Sequence, residues 1–191
     1  MQREDAATPG VLVMVILLLL KIQMPKKLKI RKATISESEL GFTFLKEAAS
    51  WLNGQGIDYW QNWHSPSEHH KEWILEGFRL QQFYFVEEDD AVVGMFRLQE
   101  SDPVFWGDAR ESAFYIHSLT TKRNLAGQAY GYRILEMIEE LAKVQKKEYL
   151  RLDCGSQVKK LCAYYMNYGF QFVREVIVDG YEMNLYEKPV R

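Results

Sequence analysis

The residues best placed to do chemistry form one loop, Ala126-Gly127-Gln128-Ala129-Tyr130-Gly131. It joins a strand-like segment (112–121) to an amphipathic segment of helical period running from about 130 to about 147. The first backbone N–H groups of a helix have no intrahelical partners, and the macrodipole puts partial positive charge there, so such a junction is built to hold an anion. Gly127 and Gly131 accept φ > 0 and allow a phosphate to approach the backbone closely. Lys122, Arg123 and Arg133 add positive charge nearby. The first reading is therefore a pyrophosphate cradle. Its spacing excludes two common cradles: no G-x-x-x-x-G-K-[ST] string occurs, and neither does G-x-G-x-x-G with an acidic residue about 20 positions later. Phosphoryl transfer is disfavoured, because no Walker lysine or paired magnesium carboxylates accompany the loop.

Two further segments follow the loop in order. Tyr149-Leu150-Arg151-Leu152-Asp153-Cys154 reads as a strand, and Leu161-Cys162-Ala163-Tyr164-Tyr165-Met166-Asn167-Tyr168-Gly169-Phe170 as a short Tyr-rich helix ending at a glycine. Together with the loop they resemble the GNAT superfamily of acyl-CoA-dependent N-acetyltransferases. That family carries a [Gln/Arg]-x-x-Gly-x-[Gly/Ala] loop and a downstream Tyr-x-x-x-Gly-Phe element. The resemblance covers about residues 27–188 and is most similar to bacterial members with an Asp-Pro-x-Phe-Trp-Gly segment before the fourth strand, here Asp102-Pro103-Val104-Phe105-Trp106-Gly107. The chain departs from the pattern at Ala126 (usually Gln or Arg), at Ala129 (the first pattern glycine) and at Val158 (often Asn).

The resemblance implies a fold, a co-substrate and a set of roles. The fold is α/β (α+β): a mixed, mostly antiparallel sheet with splayed central strands and helices on both faces. The co-substrate is acetyl-CoA and the acceptor a primary amine, attacking directly in a ternary complex. The pantetheine arm would lie between the fourth and fifth strands against backbone groups at Leu119 and Thr121. The amides of Ala126, Gly127, Gln128, Ala129, Tyr130 and Gly131 would hold the pyrophosphate, Ala129 contributing its N–H if its φ is negative. Tyr165 would protonate the departing thiolate. The acceptor pocket would draw on Trp51, Tyr59, Trp60, Trp63, His64, Trp73, Phe105 and Trp106, of which Trp60, Trp63 and Trp106 are least committed to a helix core. Pairing of C-terminal strands across a homodimer is common in such proteins.

Amine attack at neutral pH requires a base as well as a polarised carbonyl. His117 is the candidate: it shares a strand face with Tyr115, Leu119 and Thr121, and an imidazole's ordinary pKa of about 6.5 suits the task. Glu111 is the fallback. Asp153 is a weaker base, expected to pair with a cation at its strand end, while Asp102 and Asp108 are placed to steer a positive amine. Two other readings stay open. The substitutions at 126, 129 and 158 suit a non-catalytic acyl-CoA-binding or sensing module, and an apolar run at residues 11–20 suits a membrane-linked acyltransferase.

The elements that must position these groups read as β-α-α-β-β-β-α-β-α-β-β. Residues 28–33 alternate as a half-exposed strand. Ser36-Glu37-Ser38-Glu39 reads as a capping box opening a helix to about 52, and Ser65-Pro66-Ser67-Glu68 as the start of a second, to about 80. Residues 82–87 and 91–100 form a hairpin around Glu88-Asp89-Asp90, and 170–178 with 181–186 another around Asp179-Gly180. With 191 residues and a net charge of −2, one domain (24–191) has a full core and no clustered basic face for nucleic acid. Cys154 and Cys162 fit a reducing cytosol better than a disulfide framework, and adjacent His69 and His70 with His64 do not make a metal site. The 11–20 run falls short of the roughly 20 residues needed to span a bilayer, so residues 1–23 are expected to add no chemistry and no membrane association.

Overall fold

The computed structural model describes residues 27–191; the 11–20 apolar run and its expected role lie outside them. The elements are β1 (Leu28–Lys32), α1 (Ser38–Gly54), α2 (Glu68–Arg79), β2 (Phe83–Glu88), β3 (Ala91–Gln99), the single-turn α3 (Pro103–Trp106), β4 (Ala113–Thr121), α4 (Tyr130–Val144), β5 (Tyr149–Gly155), α5 (Lys159–Tyr168), β6 (Gln171–Val178) and β7 (Tyr181–Pro189). The order matches the sequence reading, with α3 as the addition.

Both helix entries sit away from their expected caps. The box forms over Thr34–Glu37 instead of 36–39: the Thr34 N–H donates to Glu37 Oε2 at 2.9 Å, while Arg31 of β1 holds Glu37 Oε1 at 2.7 Å. That anchor fixes a short 3-10 turn, Ile35–Glu37, from which α1 continues. The second cap is Ser67, whose Oγ accepts from the His70 N–H, because extended Ser65 instead closes the 3-10 turn Gln61–His64. Both hairpins turn on left-handed residue pairs, Asp89-Asp90 (φ 50° and 62°) and Asp179-Gly180 (φ 51° and 81°). This geometry matches strand twist and suits Asp and Gly.

The strands make one seven-stranded sheet in the order β1-β2-β3-β4-β5-β7-β6. β4 and β5 run parallel; every other neighbouring pair is antiparallel. Alternation along the strands feeds three buried clusters, the two larger ones under the helices. Helices α4 and α5 cover one face through Ile134, Leu135, Ile138 and Cys162. Helices α1 and α2 cover the other through Phe44, Leu45, Ile74 and Phe78.

The parallel pair decides where a ligand fits. β4 and β5 pair only from Ala113↔Tyr149 to Ile116↔Leu152. Beyond that rung β4 bulges: its register with β3 shifts between Met95 and Arg97, and Ser118 turns left-handed at φ 53°. A bulge bends its strand and re-aims the next residues. β4 therefore follows β3 while β5 stays paired with β7 through Gly155, and the sheet forks.

Candidate active site

His117 and Asp153 are the residues immediately past the last paired rung, so the fork sets them face to face across the opening. His117 Nδ1 lies 3.5 Å from Asp153 Oδ1, and on the opposite edge of the ring Nε2 lies 3.4 Å from Asp102 Oδ2. Asp102 arrives through α3: its Oδ1 accepts from the Phe105 N–H at 3.4 Å, which leaves Oδ2 turned to the histidine. Among the described residues this trio alone brings three ligand-type side chains within 4.8 Å of one another. The carboxylates address opposite ring nitrogens of the imidazole. The α3 turn is itself pinned from β6, where Arg174 reaches the Phe105 and Trp106 carbonyls at 3.3 and 3.4 Å.

Asp153 and His117 are each only 11% exposed, so little water screens them. Burial is the main cause that pushes the Asp153 carboxyl up to about 6; His117 opposes the rise and Asp102 adds to it. The folded chain thus holds this proton more tightly than the unfolded chain. Stability accordingly falls as pH rises from about 4 to about 6, and stays lower above that. Asp153→Asn is expected to stabilise the fold by about 2–3 kcal/mol at pH 7.5, with little effect at pH 4. Urea unfolding at the two pH values checks this, and equal gains at both would refute it.

The fork opens into a cavity of about 720 Å³ between the β4 and β5 ends, α1, the 57–63 segment and the starts of α4 and α5. Tyr59, Trp60, Trp63 and Trp73 wall one end, and Trp73 meets the His117 ring edge-on at 5.8 Å. Trp73 is held from behind by Arg97, stacked 4.0 Å above its ring. Arg97 is 1% exposed and donates to the Trp73 carbonyl (2.8 Å) and to Gln82 Oε1 (3.0 and 2.6 Å); burial lowers its pKa to about 10. Tyr165 lines the same cavity from α5, buried between Tyr164 and Phe170. Its desolvation raises the phenol pKa well above the ordinary value, so the hydroxyl keeps its proton.

The loop reaches the other end. Gly127 has φ 80°, as a close-approach glycine requires, but Ala129 is left-handed too, at φ 58°, so the negative φ on which its N–H contribution is conditional is not met. An alanine pays about 1–2 kcal/mol for that conformation. Ala129→Gly should therefore raise Tm by roughly 2–4 °C, and an unchanged Tm would deny the strain. Gly131 lies inside the first turn of α4, not in a positive-φ position; its missing side chain makes room for the Tyr164 hydroxyl, into which a Cβ would run. The Ala126 N–H is committed to Arg123 O at 3.1 Å and the Gln128 N–H to Leu125 O at 3.2 Å, so two of the expected amides are turned inward. The amides opening α4 fit an anionic ligand, with Arg123 beside them, its Nε bonded to Thr121 O.

Several expected roles land elsewhere. His117, Leu119, Thr121, Ala126, Gly127, Ala129, Tyr130, Gly131, Trp60, Trp63 and Tyr165 all line the cavity. Trp106 does not: it packs with Ala113, Tyr115 and Leu185 under α3, with Arg151 4.6 Å over its ring. Asp153 pairs with no arginine or lysine among the described residues: Arg151, two residues back on the same strand face, is taken by Glu187 and Glu111 instead. Glu111 is spent in that pair, away from the cavity. Sequence reasoning underrated Trp73 and Tyr59, since aromatics at helical spacing read as core, and it missed Arg97. Of the described helices, none is long and apolar enough to cross a membrane.

A sheet forked at its one parallel pair, a helix-opening loop at the end of the fork, and a tyrosine and histidine lining the gap define an acyl-CoA-dependent acetyltransferase. The sequence profile of the acetyltransferase (GNAT) family matches residues 46–170, and the chain belongs to that family, with acetyl-CoA as donor. It is 26% identical over 163 residues to the uncharacterized N-acetyltransferase YesJ of Bacillus subtilis, covering 83% of this chain and 88% of YesJ. A GNAT-family acetyltransferase structure from Listeria monocytogenes superposes with TM-score 0.70 at 23% identity, over 85% of this chain and 94% of that one. The PaiA N-acetyltransferase of Thermoplasma acidophilum, solved in complex with coenzyme A, superposes with TM-score 0.65 at 20% identity, over 85% and 99%.

Proposed function

We propose that the protein moves an acetyl group from acetyl-CoA to a primary amine by direct attack in a ternary complex, with His117 as base and Tyr165 as acid. The observation that carries this is the placement of His117 between two buried carboxylates in the wall of the cavity that Tyr165 also lines. Acetyl-CoA, when bound, supplies the acetyl thioester; the amides opening α4 and the Gly127 turn would hold its phosphates, and the fork between β4 and β5 its arm. The Thermoplasma relative, solved in complex with coenzyme A, supports a coenzyme A donor.

The chain's own residues then manage three protons. His117 takes one from the bound ammonium, and Asp102 and Asp153 hold the imidazolium that results. The neutral nitrogen forms the new C–N bond as the C–S bond breaks. Tyr165 gives its phenolic proton to the leaving sulfur and recovers one from the nitrogen, which must shed its second proton to become an amide. The net proton leaves from His117 to solvent. A cytoplasmic location is part of this reading, supported by the free, buried pair Cys154 and Cys162. A homodimer through β6 is supported by its sheet-edge position and its exposed Phe172 and Ile177.

Thermal unfolding of the protein with acetyl-CoA, ATP or NADH tests the donor site. At 100 times its dissociation constant acetyl-CoA should stabilise by about 2.7 kcal/mol, with no comparable effect of the others. Thiol release on adding an amine would then separate an enzyme from a sensing module, which binds and releases none.

A further inference from the structure

Beside His117, the acceptor end of the cavity carries carboxylates that no described arginine or lysine pairs. Asp153 stands in the wall, and Asp102 backs His117 from the far side. Of the cations lining the whole cavity, Arg123 is bonded through Nε to Thr121 O and lies 5.2 Å over the Trp51 ring, and Lys160 stands exposed on the first turn of α5. Arg97 lies behind Trp73, its guanidinium taken by Gln82 and the Trp73 carbonyl. Beside the acid, Tyr59, Trp60, Trp63 and Trp73 offer an apolar, aromatic wall. An ammonium on an apolar stem is welcome there through the carboxylates and through cation–π attraction. A carboxylate next to that ammonium is not, because it is desolvated without a donor cation and meets Asp153 at close range in a poorly screened site.

Resting on the assignment of His117 and Tyr165 as the reacting pair, we infer that the acceptor is a primary amine with an apolar stem and no carboxylate beside the reacting nitrogen, and that Asp153 excludes the carboxylated counterpart. Two like charges about 5 Å apart at an effective dielectric constant of about 20 repel strongly enough for discrimination on the order of 100-fold in kcat/KM.

Matched acceptors test this: phenethylamine, phenylalanine and phenylalaninamide, each with acetyl-CoA and free-thiol detection. The amide keeps the bulk of the carboxyl group but not its charge. Phenethylamine and phenylalaninamide should be acetylated with phenylalanine about 100-fold poorer, and Asp153→Asn should narrow the amide-to-acid gap to below about tenfold. Phenylalanine within about threefold of its amide in the unsubstituted protein would overturn the inference and leave amine acetylation standing. A gap unchanged in Asp153→Asn would overturn the role given to Asp153. No transfer to any of the three, with acetyl-CoA bound, would bring down the assignment of the reacting pair and the inference with it. Should the variant fail to fold, the ratio in the unsubstituted protein still decides.

Discussion

Tyr165→Phe lowers kcat by about 100–1000-fold while the acetyl-CoA-dependent rise in Tm remains. The phenol is buried with its pKa raised by desolvation, so at neutral pH it is a proton donor and not a phenolate. Removing one oxygen leaves the ring's edge contacts with Tyr164 and Phe170, so the loss is chemical rather than a matter of packing. The leaving thiolate then has to depart unprotonated or borrow a proton from water. Donors with a better leaving group need that proton less, and an activated aryl thioester should narrow the deficit. A variant within about threefold of the parent in kcat would remove Tyr165 from the reaction and return it to the core around Phe170.

His117→Gln lowers kcat/KM by about 100–1000-fold at pH 7, and the deficit shrinks as pH rises toward 10. An alkylamine of pKa about 10 is almost all ammonium at pH 7, so the base must supply the neutral nucleophile; near pH 10 solvent has already done so. A histidine with a purely structural role would show a deficit that does not change with pH. Glutamine is chosen over alanine because it fills the site and can still donate to one of the two carboxylates. Alanine would leave two buried carboxylates facing each other without a partner, and a loss of folding would then mask the kinetic effect.

Much of this protein was legible in its order of residues. Turn chemistry and periodicity are local, and they pointed to the hairpins around Glu88-Asp89-Asp90 and Asp179-Gly180 and to a helix from 130, which ends at Val144 rather than near 147. The loop motif and the Tyr-x-x-x-Gly-Phe element together pointed to the family and its donor. Charges and aromatics carried no such label. Whether Asp153 answers Arg151 or His117, and whether Trp73 or Trp106 looks into the cavity, depends on which acids claim Arg151, on where the β4–β5 pairing ends and on how Arg97 and Arg151 pin the indoles. The sign of φ at Ala129 was likewise invisible, because alanine prefers the opposite. Local sequence determined the elements and the loop that opens α4, since their forces act within a few residues. Only the tertiary structure decided the acid–base cluster: a bulge at Ser118 ends the β4–β5 pairing after Ile116, and that long-range register is what brings His117 and Asp153 together.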